Sequence, residues 1–208
     1  FAPADFSYAD YLDYRAGNHV FTDLAAWLYT RMELTHWSAR PGLLAGTTHV
    51  HFVSENYLPL LGASLKLGRG FLPEENRTPN SHPVIVLSHA FWEQRWQGDA
   101  DVVGKAVMLN GRPYTVIGVT APEFVGQPAL LPPAAWIPLM MRPEAVADRN
   151  AVIRLQLIGR LKPGVTVAQA KADLDVIAGR LAELHGRNAR RSGVRLERGM
   201  SLFRLPLS

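Results

Sequence analysis

The stretch between residues 152 and 185 constrains the fold most, because its hydrophobic period changes abruptly at Lys162-Pro163-Gly164. Before this turn, apolar and polar residues alternate, which is typical of a half-buried β-strand. After it, Thr166 and Gln169 occupy the positions of a helix capping box. The apolar residues that follow recur every three or four positions and form one stripe along about five helical turns: Val167, Ala170, Leu174, Ile177, Leu181 and Leu184.

A second alternating segment follows this predicted helix at residues 194–197. Residues 152–198 therefore predict a strand, a helix and a strand. The apolar stripe of the helix has to cover the apolar face of the sheet, because neither surface is stable in water alone.

The first 62 residues predict a similar mixture of helix and strand. Ser7 and Asp10 stand in capping-box positions at the start of a helix. The expected elements are a helix over residues 8–28 with a break near Gly17, strands over residues 31–37 and 47–53, and a short helix that Ser54 caps and Gly62 ends.

The middle of the chain is rich in Pro and Gly and mostly strand-like. Asn110-Gly111 lies between two apolar runs, which predicts a hairpin with a two-residue type I′ turn. The other expected elements are a buried strand over residues 84–87, a helix that Ser88 caps and Gly98 ends, and a long loop marked by Pro122, Pro128, Pro132 and Pro133.

These patterns predict an α+β fold of two parts. Residues 1–62 and 150–208 form one split unit, and residues 63–149 form an inserted, mostly β unit. The 208-residue chain begins at Phe1 without a Met, so we expect a piece of a larger protein, and no apolar run approaches the roughly 18 residues of a membrane span.

The composition excludes several chemistries. The chain has no Cys, which excludes disulfides, thiolate metal sites and cysteine nucleophiles. The net charge of +4 arises in residues 149–208, which carry 12 Lys and Arg against 4 Asp and Glu. The arginines from Arg187 to Arg198 could face phosphates, lipid head groups or an acidic partner, or form a solvated helix end and strand. No aromatic residues interleave them as single-stranded nucleic acid binding would require.

The segment Gly98–Ala106 superficially resembles a phosphate-binding loop. It has five residues between its glycines where the motif has four, and Ala106 stands where Ser or Thr would hold magnesium. A strand follows it where the motif needs a helix. The segment therefore predicts no nucleotide site.

Other candidate sites are equally incomplete. Asp99 and Asp101 begin no full calcium loop, and Ser88-His89 lacks a nucleophile elbow, so a helix cap explains Ser88 better. His36, His49 and His51 could bind zinc, but two solvent-facing strand histidines, with Val50 and Phe52 turned inward, explain the pattern as well. Asn76-Arg77-Thr78 is a glycosylation triplet that is frequent by chance, and Trp92 and Trp96 suit core packing.

No catalytic, cofactor-binding or metal-binding residue is therefore assigned, and a binding or mechanical domain is expected before an enzyme. The chain resembles the periplasmic core domain of MacB-type ABC transporter permeases, in particular the branch with duplicated permeases. The resemblance runs through "NHVFTDLAAW" (18–27), "VSENYLPLLGASLKLGRGFLPEE" (53–75), "PVIVLSHAFWEQRWQGDADVVGKAVMLNGRPYTVIGVTAPEF" (83–124), "WIPL" (136–139) and "IGRLKPGVTVAQAKADL" (158–174).

The resemblance implies a non-catalytic domain on the periplasmic face of the bacterial cytoplasmic membrane. It implies a porter-like βαβ subdomain split by a mostly β insertion, in a permease that depends on a separate cytoplasmic ATPase. The implied partners are the transmembrane helices, the ATPase, a second permease half or identical copy, and a periplasmic adaptor, with no nucleic acid. The implied function is to couple ATP-driven membrane motions to export or adaptor contact.

Two alternatives remain at this point. The first is an extracytoplasmic ligand-binding or sensor module, in which the Pro-rich loop over residues 122–138 gates a pocket. The second is hydrolysis at Ser88.

Overall fold

The computed structural model describes residues 6–36, 46–127, 132–147 and 155–185. Its helices are α1 (Tyr8–Gly17), α2 (Tyr57–Leu60), α3 (His89–Trp96), α4 (Pro143–Val146) and α5 (Val167–His185). Its strands are β1 (Phe21–His36), β2 (Gly46–Val53), β3 (Leu65–Gly68), β4 (Val84–Leu87), β5 (Ala106–Leu109), β6 (Arg112–Thr120), β7 (Ala135–Pro138) and β8 (Gln156–Leu161). The predicted α+β class is confirmed. Within the described ranges, no helix is both long and apolar enough to cross a membrane.

Six strands pair in a closed order, which we call the strand ring. β1 pairs with β2, β2 with β7, β7 with β4, β4 with β6, β6 with β5, and β5 with β1 again. β3 adds to β6 and β8 adds to β1. Closure satisfies strand edges that would otherwise expose unpaired backbone groups.

One hydrophobic cluster joins all six strands of the ring. Alternate residues of each strand contribute to it, as the period of a strand requires. They include Met32, Phe52, Ile85, Val107, Val116 and Ile137, together with Phe91, Trp92 and Trp96 of α3. The expectation that Trp92 and Trp96 pack in a core is therefore correct.

The predicted helix over residues 18–28 is wrong, because β1 begins at Phe21. β1 pairs with β8 through its first half and with β2 from Trp27 onward. Residues 24–28 are all buried, with Ala25 and Trp27 in one cluster and Ala26 and Leu28 in another. A strand that is covered on both faces does not alternate between polar and apolar residues. Its continuous apolar run therefore resembles the apolar spacing of a helix.

The two capping boxes are confirmed. The Asp10 amide donates to Ser7 Oγ at 3.1 Å, and the Ser7 amide donates to Asp10 Oδ2 at 2.9 Å. The Gln169 amide donates to Thr166 Oγ1 at 3.2 Å, and the Thr166 amide donates to Gln169 Oε1 at 2.9 Å. These reciprocal bonds satisfy amides that have no partner inside the helix.

The stripe of α5 is buried only in its middle. Ala170, Leu174 and Ile177 pack on the sheet, whereas Val167 and Leu184 at the two ends of the stripe are exposed. The helix therefore covers the sheet as predicted, over part of its length. The predicted strand at residues 194–197 lies outside the described residues.

The hairpin prediction is confirmed at both turn residues. Asn110 and Gly111 have φ of 48° and 71°, the left-handed values that a type I′ turn requires. The Ser88 cap is also confirmed, since the Phe91 amide donates to Ser88 Oγ at 3.3 Å. The Ser54 cap is wrong. The N-cap of α2 lies two residues later, at Asn56, which makes no capping side-chain bond.

The division of the chain at residues 63–149 stays a prediction. β4, β5, β6 and β7 from this segment share the strand ring with β1 and β2. If the chain is divided in this way, one sheet joins the split unit to the inserted unit.

Candidate functional site

The two long helices lie together on one region of the sheet. Tyr14 of α1 and Leu174 of α5 share a hydrophobic cluster with Phe21 and Leu24 of β1. Gly17 lies at this contact, since a Cβ at that position would lie 3.6 Å from Ile177 Cγ1, an ordinary van der Waals distance. We call this contact the terminal-helix face.

Polar bonds reinforce the terminal-helix face where α1 leads into β1. The His19 amide donates to Asp173 Oδ2 of α5 at 3.1 Å. Lys162, in the turn before α5, donates from Nζ to the His19 carbonyl oxygen at 2.8 Å. The segment after α1 is therefore held through both backbone polar groups of His19.

Arg15 of α1 binds two carboxylates from different elements, an arrangement we call the Arg15 clamp. Its Nε and Nη2 donate to Asp23 of β1 at 2.9 and 3.1 Å, which is the bidentate geometry that suits a guanidinium. Its Nη1 donates to Glu55 Oε1 at 2.8 Å and to the Tyr11 hydroxyl at 2.9 Å. One side chain thus joins α1, β1 and the turn after β2.

The electrostatics of the Arg15 clamp favour its charged state. Burial alone would lower the pKa of Arg15, but its hydrogen bonds to Glu55 and Asp23 and the charge of Glu55 raise it overall. Burial raises the pKa of Tyr11 to about 12, so its hydroxyl stays protonated and can donate while it accepts from Arg15. The clamp side chains are about one-third exposed or less, so solvent screens them only in part.

Asn56 extends the clamp into the strand pair β1–β2. Its Nδ2 donates to Asp23 Oδ2 at 2.6 Å and to the Leu24 carbonyl oxygen at 2.8 Å. Its Oδ1 accepts from Ser54 Oγ at 2.6 Å, and Ser54 Oγ accepts from the Ala26 amide at 3.0 Å. Ser54 therefore bridges two strands, which explains why it does not cap α2.

A second polar joint lies at the same, carboxyl-terminal end of β2. The buried Glu75 accepts from Arg69 Nη2 at 2.7 Å and from the Leu72 amide at 2.8 Å. Next to it, buried Asn76 donates to the Val53 carbonyl oxygen and accepts from the Met140 amide. Asn76 thus links the end of β2 to the turn after β7.

The role of Asn76 bears on the glycosylation triplet. Its side chain is 6% exposed, and both ends of the amide make hydrogen bonds within the fold. A sugar on Nδ2 would replace one of its two hydrogens and would need space in the core. The folded domain is therefore a poor acceptor at this position.

The histidines do not converge as a zinc triad would require. His49 and His51 of β2 lie opposite Arg31 and Tyr29 of β1. The backbone of His36 pairs with Met108, five positions beyond Arg31, which is about 17 Å along a strand. Among the described residues, no group of three or more His, Asp or Glu could hold a metal ion.

The expectation that both strand histidines face solvent is wrong for His51. Val50 and Phe52 do turn into the main core, but His51 is fully buried on the opposite face. Its ring lies 4.7 Å from that of Trp27, between centroids. The alternating pattern of β2 predicted that His51 faces water, but aromatic side chains of β1 cover its ring.

The phosphate-loop-like segment forms a turn held by its own side chains. Lys105 Nζ donates to Asp99 Oδ2 at 3.0 Å, and Asp99 Oδ1 accepts from the Asp101 amide at 2.9 Å. These two bonds, the one to Asp101 first, lower the pKa of Asp99. β5 follows the turn, so the lysine faces a carboxylate where a nucleotide site needs a free cation at a helix start.

Ser88 and His89 stabilise the start of α3. Ser88 is buried and caps the helix, and the ring of His89 lies 5.3 Å from that of Trp92 between centroids. The arginines from Arg187 to Arg198 lie outside the described residues.

The described geometry supports rigid linkage between elements. The clamp residues were missed by sequence analysis, because their separations of 8 and 40 positions along the chain follow no motif. A weak signal existed, since Asp23 and Glu55 are charged residues placed beside apolar strand runs.

Comparison with known proteins identifies the kind of domain. Residues 2–177 match the family model of the MacB-like periplasmic core domain. The fold is similar to the periplasmic region of MacB from Actinobacillus actinomycetemcomitans, with a TM-score of 0.64, 18% identity, and coverage of 89% of this chain and 77% of that one. It is also similar to the extracellular domain of the noncanonic ABC-type transporter YknZ from Gram-positive bacteria, with a TM-score of 0.63, 17% identity, and coverage of 88% and 86%. No curated protein matches the chain.

The family match covers most of the chain, and the resemblance stated from the sequence is confirmed. Domains of this kind lie on the periplasmic or extracellular side of the membrane, within permeases that work with membrane helices and an ATPase. The family is not a catalytic one. The chain belongs to the MacB-like periplasmic core domain family of ABC transporter permeases.

Proposed function

We propose that this domain is a mechanical coupler, which transmits ATP-driven motions of the permease membrane helices to export or to contact with an adaptor protein. The Arg15 clamp is the observation that carries this proposal. It joins α1 to two separate parts of the sheet through charged hydrogen bonds of 2.8 to 3.1 Å. A force applied to α1 would then displace the sheet with it.

The terminal-helix face supports the same proposal. α1 and α5 share one apolar cluster, and His19, Asp173 and Lys162 tie the segment between α1 and β1 to α5. In a permease of this family, membrane helices would pull on both ends of the domain. Two packed helices would move as one body, because packed interiors deform little.

The coupling test uses the full permease in lipid vesicles. A fluorophore on a Val103→Cys substitution, at an exposed position, reports movement relative to a quencher in the lipid. ATP should change this signal in the otherwise unaltered permease. Arg15→Gln should suppress the change while ATP hydrolysis continues, because the variant loses the charged bonds to Asp23 and Glu55.

Arg31→Gln is the matched control. Arg31 is an exposed arginine of β1 whose Nη2 donates to Thr47 Oγ1 at 2.9 Å. The Arg31→Gln permease should retain the full ATP-dependent fluorescence change. An unaltered permease that shows no ATP-dependent signal would refute coupling, whereas a normal signal in Arg15→Gln would refute only the clamp.

The ligand-binding alternative has less support in the described residues. Phe124, in the loop after β6, is buried with its ring 5.2 Å from that of Trp136, between centroids. Gly126 lies so close that a Cβ would come within 2.9 Å of Trp136 Cζ2. This part of the loop packs directly on the sheet, so a gate would first have to break that packing. A saturable thermal stabilisation by peptides, lipids or small amphiphiles would restore this alternative.

A further inference from the structure

His51 is a buried imidazole without a hydrogen bond. It is 0% exposed, and neither Nδ1 nor Nε2 has a partner. Such groups are rare in folded proteins, because a buried polar atom without a partner loses the bond it made to water. The coupling role uses no property of His51, so its position calls for a separate explanation.

His51 lies where three strands of the ring meet. Its register partners are Tyr29 on β1 and Trp136 on β7. Its ring lies 4.7 Å from Trp27 and 6.1 Å from Tyr29, between centroids. A change in the size or charge of this ring therefore acts on three strands at once.

Among the described residues opposite or beside His51 on these strands, no carboxylate balances a positive charge. On this face β2 presents His49, β1 presents Tyr29, Arg31 and Glu33, and β7 presents Trp136. Glu33 is the acid among them, and it lies opposite Thr47, four positions from Tyr29 along β1. Arg31 and a protonated His49 would repel an imidazolium.

We propose that His51 is an acid-sensitive latch, whose protonation opens the packing among β1, β2 and β7 while the rest of the domain stays folded. The closed form holds the neutral ring between Trp27 and Tyr29. The protonated ring needs water, which it reaches only when these strands separate locally.

The sign of the pH dependence follows from the burial of the ring. Burial, and to a lesser degree the charge of His49, lowers the pKa of His51 from 6.5 to about 3. The open form regains the ordinary pKa and takes up one proton. The closed form is therefore fully favoured above pH 6.5, and below it the open population grows about tenfold per pH unit until the closed form also titrates.

Amide hydrogen exchange, corrected for the intrinsic rate, tests the latch in this 208-residue chain. Between about pH 6.5 and about pH 5, the open fraction at the amides of β2 and β7 should rise about tenfold or more, and the amides of α5 should stay protected. His51→Phe, which keeps an aromatic ring and removes the titration, should abolish this rise. If His51→Phe fails to fold at about pH 7.5, His51→Gln replaces it in the same comparison.

His19→Gln provides the matched control. His19 is exposed, and its bonds to Asp173 and Lys162 are made by its backbone. This variant should retain the full rise. An equal rise in the His51 variant, or α5 amides that open together with those of β2, would overturn the latch in favour of ordinary acid unfolding.

Discussion

Asn110 and Glu33 bind each other through two hydrogen bonds that fix the tip of the β5–β6 hairpin to β1. The Asn110 amide donates to the Glu33 carbonyl oxygen at 2.8 Å, and Asn110 Oδ1 accepts from the Glu33 amide at 2.6 Å. The hairpin tip therefore belongs to the closure of the strand ring, and its turn geometry bears on the stability of the whole domain.

Gly111→Ala should destabilise the domain by about 1–2 kcal/mol in chemical denaturation, because φ at this position is +71° and a side chain resists left-handed backbone. The Cβ itself would meet no atom within 4 Å, so the loss would come from the backbone alone. Gly70→Ala is the control, since Gly70 has equally open space without a positive φ. An equal loss in both variants would show that the turn is not the cause.

A double-mutant cycle should detect the bond between Arg15 and Asp23. Arg15→Ala, Asp23→Ala and the double variant should give a coupling of about 0.5–1 kcal/mol in the free energy of unfolding, since both side chains are about one-third exposed and partly screened.

The comparison cycle uses Lys171 and Asp175, an exposed pair within α5 at 2.6 Å. Its coupling should be smaller, at about 0.3–0.5 kcal/mol, because it joins neighbouring turns of one helix. A coupling for Arg15 and Asp23 that is no larger than this value would remove the energetic basis of the clamp.

The joint formed by Arg69 and Glu75 should weaken in acid. Burial alone would raise the pKa of Glu75, but the hydrogen bonds from Arg69 and the Leu72 amide lower it below 4.5 overall. Its contribution is therefore complete above pH 4.5 and is lost as the pH falls through the lower pKa of the folded state. The difference in unfolding free energy between the unaltered chain and Glu75→Gln should shrink across that range. A difference independent of pH would exclude this titration.

A disulfide between positions 17 and 177 should form readily in this cysteine-free chain. A Cβ at Gly17 would lie 3.6 Å from Ile177 Cγ1, near the position of a cysteine sulfur. The Gly17→Cys, Ile177→Cys variant should gain about 2–4 kcal/mol in its oxidised form over its reduced form. The single-cysteine variants should show no such dependence on reductant. Failure to oxidise would mean that α1 and α5 are not in contact in solution.

The local parts of this fold could be predicted from the sequence because their causes are local. Ser7 and Thr166 cap helices through residues three positions away, and Asn110-Gly111 makes its own turn. β1 could not be predicted in full, because hydrophobic clusters built from distant parts of the chain cover both of its faces. The same holds for His51, which is buried by aromatic side chains from β1.

The candidate site was less predictable than the fold. Arg15 finds Glu55 only after α1, β1 and β2 are in place, so tertiary structure creates the clamp. The functional conclusion came from the family resemblance, because the motif search found only incomplete catalytic, nucleotide and metal sites.

The order of strands in the ring has a consequence for how the chain is made. β2 and β4 do not pair with each other; β7 lies between them and arrives about 80 positions after β2. While the chain emerges on the periplasmic or extracellular side of the membrane, the edges of β2 and β4 stay unpaired until residues 135–138 follow. Non-local pairing of this kind slows folding and leaves strand edges unpaired and prone to aggregation. Biogenesis of the domain should therefore depend on chaperones that bind nascent chains.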